Sequence, residues 1–321
     1  MSPFSLLINI MNEVKANYDE PWKEALGEYF EPFLQLFFPK VHSLIDWSKQ
    51  PQSLDKELQQ ITASSDSGLR IVDKLFQVWR ADNRETRILV HIEVQSQDES
   101  EFAKRMYIYN YRAFDLYEQP VISLAVLGDE VHNWRPSSYG YNLGGCEISL
   151  KFPIAKLLDY EAQWQDLEKS TNPFAVIVMA HLKTKATTGN SQQREQWKWN
   201  LVRGLYERGF ERKDIIKLFQ AIDSMMNLPQ ELQQSFEQKL TRYEEERKMP
   251  LLSNMELRGI EKGTRQTLQS NIISLLQKRF KVVPDELSKS INDIDDISEL
   301  QRLLLETVSI NSVTDFQQLL P

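Results

Sequence analysis

The fold of this chain is decided by two neighbouring apolar segments, Leu69-Arg-Ile-Val-Asp-Lys-Leu-Phe-Gln-Val-Trp79 and Thr86-Arg-Ile-Leu-Val-His-Ile-Glu-Val-Gln95. Both segments are rich in β-branched and aromatic residues, which favour extended structure. The short polar segment Ala81-Asp-Asn-Arg84 lies between them and is typical of a turn. The pattern therefore predicts a β-hairpin.

The second strand of this hairpin has two chemically different faces. Side chains alternate between the two faces of a strand, so residues two apart point the same way. One face is wholly aliphatic, and we expect it to lie in the core. The other face has an unusual density of polar groups for a central strand. The aliphatic face consists of Ile88, Val90, Ile92 and Val94, and the polar face of Leu89, His91, Glu93 and Gln95.

The segments around the hairpin alternate between helical and strand patterns. An amphipathic helix is predicted over residues 22–38, with an interruption near Pro32, and an aromatic-rich helix over 99–118. The apolar run at 120–127 predicts a buried strand, and residues 140–152 predict further strand around a Gly-Gly turn. This order of elements is that of an α/β protein.

Strand patterns fade after residue 154, so we predict an all-helical C-terminal half. Met249-Pro250 interrupts the helical pattern and predicts a domain boundary. The first domain then covers residues 1–250, with a core at about 18–155 and a helical extension at 156–250. A small helical domain covers residues 251–321. The helices predicted for the extension lie at 174–181, 193–206, 212–226 and 232–247.

The composition of the chain is that of an ordinary globular protein, with 41% hydrophobic and 26% charged residues among 321. The single cysteine, Cys146, excludes an intrachain disulfide framework and any metal site built from several cysteines. The N-terminus lacks the basic region of a signal peptide. We therefore expect a cytoplasmic location and no membrane association. The formal net charge of -8 predicts that any nucleic acid binds a local patch.

Two acids of the hairpin are the informative polar residues. Antiparallel pairing can bring Asp73 within several ångströms of Glu93. Buried carboxylates are costly unless something neutralises them. Mg²⁺ would do so with carboxylates, water and phosphate oxygens, and the Val94 carbonyl is a further candidate ligand. Alternatively, the acids lie at an edge or pair with basic side chains. If they are uncompensated, removing either one should leave stability unchanged or higher.

The same residues resemble a known family. Arg70-Ile-Val-Asp-Lys-Leu75, Leu89-Val-His-Ile-Glu-Val-Gln-Ser96 and Lys104-Arg-Met-Tyr-Ile-Tyr109 resemble the Rpn-type family of recombination-promoting nucleases and transposase-like proteins, within the PD-(D/E)XK superfamily. The resemblance also covers Tyr18-Asp19 and Ser53-Leu-Asp-Lys-Glu-Leu58, and so spans about residues 18 to 130. Residues from about 253 are similar to a helical domain of unknown function that is often appended to such proteins.

The resemblance implies a restriction-endonuclease-like core, in which a mixed sheet is flanked by helices, and divalent-metal-dependent cleavage of DNA. By position, Asp73 and Glu93 would be the metal ligands, with Mg²⁺ as the expected cofactor. Gln95 stands where the superfamily's motif has lysine. Glutamine cannot accept a proton near neutral pH, so its amide would orient water or donate to the phosphate.

Further candidates surround these residues. Glu57 matches an acid that many such nucleases carry on their first helix, although a solvated helix face explains it equally well. Arg105, Tyr109 and Arg112 form one stripe of a helix and either hold a DNA backbone or, for the arginines, pair with acids. Residues 183–217 are locally basic, which is typical of a DNA-facing patch and also of solvated helices.

Two functions follow from the sequence. The first is a magnesium-dependent DNA endonuclease that acts in recombination, transposition or defence against foreign DNA. The alternative is a nuclease fold whose catalysis has lapsed and which serves as a protein or DNA interaction module. Self-association into a homo-oligomer is a further expectation.

Overall fold

The computed structural model describes residues 18–55, 72–82, 86–247, 254–280, 283–292, 294, 296–310 and 312–320. The chain forms two compact units that divide between Phe236 and Glu237. The boundary predicted near residue 250 lies outside the described ranges and stays a prediction.

A five-stranded mixed sheet is the centre of the first unit. Its strands are β1 (Gln52–Ser53), β2 (Val72–Trp79), β3 (Arg87–Gln95), β4 (Val121–Leu127) and β7 (Ile154–Lys156), in the order β1-β2-β3-β4-β7. The pairs β1–β2 and β2–β3 are antiparallel, whereas β3–β4 and β4–β7 are parallel. The α/β class, the β2–β3 hairpin and the buried strand β4 are therefore confirmed. The three-residue strand β7 was not predicted, because it lies beyond the strand predicted over 140–152.

One helix provides the crossover between the parallel strands β3 and β4. Parallel neighbours cannot be joined by a tight turn, so the chain crosses one face of the sheet as α4 (Phe102–Tyr117). The helix ends at Glu118, which adopts the left-handed conformation at φ 50°. Its inner side packs on the face of β3 that carries Glu93. The apolar contacts there come from Phe102, Met106 and Ala113 of α4 and Leu75, Leu89, Ala125 and Leu127 of the sheet.

The other face of the sheet packs against the N-terminal helices. These are α1 (Asp19–Glu28), α2 (Phe30–Phe37) and α3 (Pro39–His42), and Phe30 stacks on Phe76 of β2 at 4.0 Å between ring centroids. The interruption predicted near Pro32 lies instead at Tyr29. Proline is tolerated in the first turn of a helix because that turn has unpaired N–H groups in any case.

A separate two-stranded sheet joins β4 to β7. It consists of β5 (Ser138–Leu143) and β6 (Cys146–Lys151), as the strand pattern around the Gly-Gly turn predicts. Gly144 and Gly145 have φ values of 61° and 84°, a conformation that other residues rarely adopt.

All the elements described after Lys156 are helical. One helix, α6 (Pro173–Ala186), is buried on all sides from Phe174 to Leu182, and Phe174 contacts Trp22 of α1 and Phe33 of α2. The elements are a 3₁₀ helix (Leu157–Gln163), α5 (Trp164–Lys169), α6 (Pro173–Ala186), α7 (Ser191–Glu207), α8 (Arg212–Met225) and α9 (Gln230–Arg247).

The second unit has a hydrophobic core of its own. Its helices are α10 (Asn254–Phe280), α11 (Asp285–Asn292), α12 (Ile297–Ser309) and α13 (Val313–Gln317). The guanidinium of Arg279 donates hydrogen bonds to the carbonyls of Thr307 and Ile310 and so satisfies the C-terminal end of α12. The buried residues of the core include Ile272, Leu276, Leu287, Ile291, Leu300, Leu303 and Phe316.

Two leucines of α12 test this core. Leu303 is fully buried, whereas Leu305, on the same helix, is 68% exposed. We expect Leu303→Ala to lower the free energy of unfolding of the second unit by about 2–5 kcal/mol, because it leaves a cavity. Leu305→Ala should change it by less than about 0.5 kcal/mol. Urea denaturation followed by circular dichroism measures both, and equal effects would contradict the assigned core.

Candidate active site

The candidate site lies between β3 and α4, near the C-terminal end of β3. In the antiparallel register, Asp73 of β2 is directly opposite Glu93 of β3, as the hairpin predicts. Gln95 follows two residues later on the same face. The side chain of Asp73 lies outside the described part of the structure, so the site is built here from β3 and α4.

Glu93 is an almost fully buried acid that forms an ion pair with an arginine. Its side chain is 1% exposed, Nε of Arg105 in α4 donates a hydrogen bond to its Oε1 at 2.7 Å, and Nη2 lies 2.5 Å from the same oxygen in the ion pair. The sequence left three alternatives open for this acid: a metal ion, a position at the sheet edge or a basic partner. In the described structure, Arg105 is the basic partner.

The same guanidinium also binds two other side chains. Its Nη2 donates to Oε1 of Gln95 at 2.9 Å, and its Nη1 donates to Oε2 of Glu99 at 2.5 Å. Gln95 is held at its other end as well, because its amide nitrogen donates to the carbonyl of Gln97 at 3.0 Å. Burial alone would lower the pKa of Arg105, but Glu93 and Glu99 outweigh it and raise the pKa, so this arginine stays charged.

The position of Arg105 follows from where α4 begins. The helix starts at Phe102, so Arg105 lies in its first turn, next to the end of β3. The guanidinium carbon lies 5.3 Å from the centroid of the Phe102 ring, which covers it on one side.

The expectation that removing Glu93 leaves stability unchanged or higher assumed that this acid has no basic partner, and that assumption is wrong. The acid is compensated by a buried arginine, and removing one partner of a buried ion pair leaves the other charge uncompensated. Truncation at Glu93 is therefore expected to destabilise the fold.

A neutral histidine extends the network on the other side of Glu93. His91 Nε2 lies 3.9 Å from Glu93 Oε2 and has no hydrogen-bond partner among the described residues. Its Nδ1 lies 3.3 Å from the hydroxyl of Ser123 on β4. Burial, assisted by the charge of Arg105, lowers the pKa of His91 to about 4, so the ring is uncharged at neutral pH.

The oxygens of this site are the kind that Mg²⁺ prefers, but the described geometry does not fit a divalent cation. Glu93 Oε1, Gln95 Oε1 and Glu99 Oε2 each accept a hydrogen bond from the guanidinium of Arg105. Among the side chains that the structure describes, no group of three or more His, Cys, Asp or Glu residues is arranged to hold a metal ion. A cation that bound through these three oxygens would therefore have to displace Arg105.

The predicted nucleic-acid contacts lie at different depths. Arg105 and Tyr109 are buried, and the Tyr109 ring packs edge-on against His91 at 5.7 Å between centroids. The sequence predicted that Arg105 binds either a DNA backbone or acidic side chains. In the structure, Arg105 forms ion pairs with Glu93 and Glu99. Arg112 is partly buried, and a DNA contact there stays a prediction. The candidate acid Glu57 lies outside the described residues.

The basic segment 183–217 makes internal contacts at most of its cations. Lys183 lies between two tryptophan rings, 4.2 Å from the centroids of Trp164 and Trp197, and Lys198 is buried in an ion pair with Asp223 at 2.5 Å. These cations are consequently engaged within the protein. The other pairs are Lys185 with the Ser96 carbonyl, Arg194 with Thr187, Arg203 with Glu207, Arg208 with the Gly204 carbonyl, Lys213 with Glu211 and Lys217 with Glu28.

A second buried polar cluster, which the sequence did not predict, follows the end of β4. Trp22 Nε1 donates to Nδ1 of His181 at 3.2 Å, so the proton of the neutral ring is on Nε2, which donates to the Gly128 carbonyl at 3.0 Å. A Cβ at position 128 would lie 2.8 Å from this ring, which explains the glycine. Nearby, Lys156 binds the buried carboxylate of Asp129. The residues of this cluster are far apart in the sequence, with a separation of 159 positions between Trp22 and His181, so local sequence spacing could not predict it.

Comparisons with known proteins add no identification. Searches of protein-family models, curated proteins and solved structures gave no match to this chain. Within the described residues, every helix is too short or too polar to cross a lipid bilayer. The functional assignment therefore rests on the residues and geometry of the site.

His181 predicts how stability depends on pH. Burial, only partly opposed by the Gly128 carbonyl, lowers the pKa of His181 to about 3, below the value of about 6.5 of an unfolded chain. Above pH 6.5 the His181 ring is mostly neutral in both the folded and the unfolded chain. Below pH 6.5 the ring binds a proton in the unfolded chain but stays neutral in the folded protein. This group should thus cost about 2 kcal/mol of stability between pH 7.5 and 5.

We expect His181→Gln to be less stable than wild type at pH 7.5 but to lose about 2 kcal/mol less between pH 7.5 and 5. The exposed His132 offers a matched control, since His132→Gln should leave the profile unchanged. Urea unfolding at several pH values measures the difference, and parallel profiles for His181→Gln and wild type would contradict the assignment.

Proposed function

We propose that the protein is a divalent-metal-dependent DNA endonuclease with a restriction-endonuclease-like core. The observation that carries the proposal is the register of β2 and β3, which places Asp73 opposite Glu93 with Gln95 two residues further on. Paired carboxylates in neighbouring central strands are the metal-ligating arrangement expected from the resemblance to the Rpn-type family.

The topology supports the same assignment. The chain runs through α1, α2 and α3, then β1, β2 and β3, then α4 and β4, in a mixed sheet with helices on both faces. A mixed sheet flanked by helices is the nuclease core that the resemblance implies. The helices from α5 onward would then form the extension behind it, and the second unit the appended domain.

The chemistry assigned to the site depends on what each side chain can do. Glu93 and Asp73 supply negative charge, Gln95 can donate or accept a hydrogen bond without changing protonation, and Arg105 stays protonated. Of the described side chains that contact Glu93, Arg105 offers no lone pair, and burial lowers the pKa of His91 to about 4, so neither is suited to act as a general base near pH 7. The proposed activity would therefore depend on a divalent cation to activate water, with Asp73 and Glu93 as the residues that would hold it.

A second candidate function is favoured by one observation. Arg105 neutralises Glu93 without a metal, and most of the cations of segment 183–217 contact other groups of the protein. A nuclease fold that has lost catalysis and docks proteins or DNA would keep this arrangement. In either case, cytoplasmic location, self-association and a role in recombination, transposition or defence belong to the proposal.

Conversion of supercoiled plasmid tests the two candidates. With Mg²⁺ or Mn²⁺, the wild type should nick or linearise the plasmid, and Asp73→Asn and Glu93→Gln should reduce the rate by more than about 10³-fold, because each removes a ligand charge. Asp159→Asn is the control, since Asp159 forms an exposed ion pair with Arg135. A wild type that is inactive with every divalent cation tested would favour the lapsed nuclease.

Gln95 allows a separate test of the chemistry. If its amide orients water or donates to the phosphate, Gln95→Ala should slow single-turnover cleavage at saturating Mg²⁺ by about 10²- to 10³-fold, the usual effect of losing one positioned donor. The affinity for Mg²⁺ should not change. Gln97→Ala is the control, because the hydrogen bond from Gln95 goes to the backbone carbonyl of Gln97, which this substitution keeps. Cleavage at the wild-type rate would assign Gln95 a purely structural role.

A further inference from the structure

We infer that the outer edge of strand β6, the edge that faces away from β5, is a self-association surface. On this edge, β6 of a second copy of the chain pairs antiparallel about Ser149. Such a pairing joins the small sheets of two copies into one four-stranded sheet. The inference gives the expected self-association a defined surface, and it does not rest on the proposed nuclease activity.

Strand β6 has an unpaired edge in the described structure. The small sheet consists of two strands, so β6 has β5 on one side and no other described strand on the opposite side. The pairing of β6 with β5 is continuous over six residue pairs, and the two strands contain neither a bulge nor a proline. Bulges and prolines are devices that blunt exposed edges, and an edge without them is a template for another strand.

The outward-facing backbone groups of β6 belong to Glu147, Ser149 and Lys151. The N–H of Phe152, just after β6, donates to the Ser137 carbonyl at 2.9 Å, on the β5 side of the hairpin. Backbone hydrogen bonds alternate along an antiparallel pair, so the even-numbered residues of β6 bond to β5 and the odd-numbered residues point away from it. Three residues therefore present N–H and C=O groups to a new strand.

The charges of β6 match those of a second copy of the same strand. When Ser149 of one copy faces Ser149 of the other, the exposed Glu147 faces Lys151 of the second copy, and Lys151 faces Glu147. Opposite charges directly across a strand pair are stabilising, whereas like charges are destabilising. Within one copy the two residues lie four positions apart, about 13 Å along the strand, which is too far for an ion pair. Strand β5 contains no charged residue, so we assign the surface to β6.

The apolar face of the hairpin continues across the same pairing. Ile148 lies on the face opposite to Glu147, and in this register it is next to Leu150 of the second copy. On the same face, Tyr141 and Leu143 of β5 are 48% and 79% exposed. Exposed apolar side chains beside an unpaired edge are typical of an interaction surface. The strands are short, so we expect a small interface, below about 1,200 Å² in total, and a dissociation constant in the micromolar range.

Sedimentation velocity of the full-length chain, at about 1 to 100 µM, tests the charge pairing. The wild type should pass from monomer to dimer over this range. Glu147→Lys and Lys151→Glu should each raise the dissociation constant at least about 10-fold, because each places like charges opposite one another. An equimolar mixture of the two variants should dimerise as tightly as the wild type, since every charged pair is then of opposite sign. Lys213→Glu, which makes the same change of charge at an exposed position of α8, should match the wild type.

A disulfide tests the register independently of affinity. Opposed residues in a hydrogen-bonded antiparallel pair have Cα atoms about 5.5 Å apart, a separation that a disulfide can span. Ser149→Cys, combined with Cys146→Ser, should therefore give a covalent dimer under mild oxidation. The wild type is the control, because Cys146 is its single cysteine and the two copies of this residue would lie about 20 Å apart in this register. Non-reducing electrophoresis measures both.

The outcomes distinguish a second copy from other occupants of this edge. A wild type that stays monomeric up to about 100 µM overturns the inference and leaves the edge to a strand of another protein. Charge-reversal variants that dimerise like the wild type, a mixture that stays monomeric, or equal cross-linking through Cys146 overturn it as well. All the substituted side chains are exposed, so the variants are expected to fold.

Discussion

A carboxylate buried in the middle of a sheet requires a positive charge, and this requirement organises the first unit. Glu93 lies on β3, which is hydrogen-bonded to β2 on one side and to β4 on the other. Its counter-ion comes from α4, the helix that the parallel pairing of β3 and β4 makes necessary. The crossover and the ion pair therefore depend on each other, since the helix that links the strands also brings Arg105 to Glu93.

The sequence was most informative where short-range patterns determine the structure. The period of two in β3 and the turn before it were sufficient to predict the hairpin and to place Asp73 against Glu93. The Gly-Gly turn of the small sheet was predictable for the same reason. The break in the first helical segment was misplaced to Pro32, because proline stops a helix only beyond its first turn.

Long-range pairings were not predictable from one sequence. Arg105, Tyr109 and Arg112 form a stripe by spacing, but whether a stripe faces a sheet or solvent depends on how the helix is rotated against its neighbours. The partnership of Arg105 with Glu93 was thus one of two open alternatives. Strand β7 is too short to show an alternating sequence pattern and is defined by its pairing with β4. The His181 cluster joins three segments that are distant in the sequence.

The burial of α6 bears on the order in which the first unit assembles during synthesis. Phe174 and His181 of this helix contact Trp22, which the ribosome produces about 150 residues earlier. A nascent chain that ends before α6 exposes the aromatic side of α1 and α2, and such surfaces are prone to aggregate or to attract chaperones. Nascent chains released after β4 should therefore be insoluble, and solubility should appear only once α6 has left the exit tunnel.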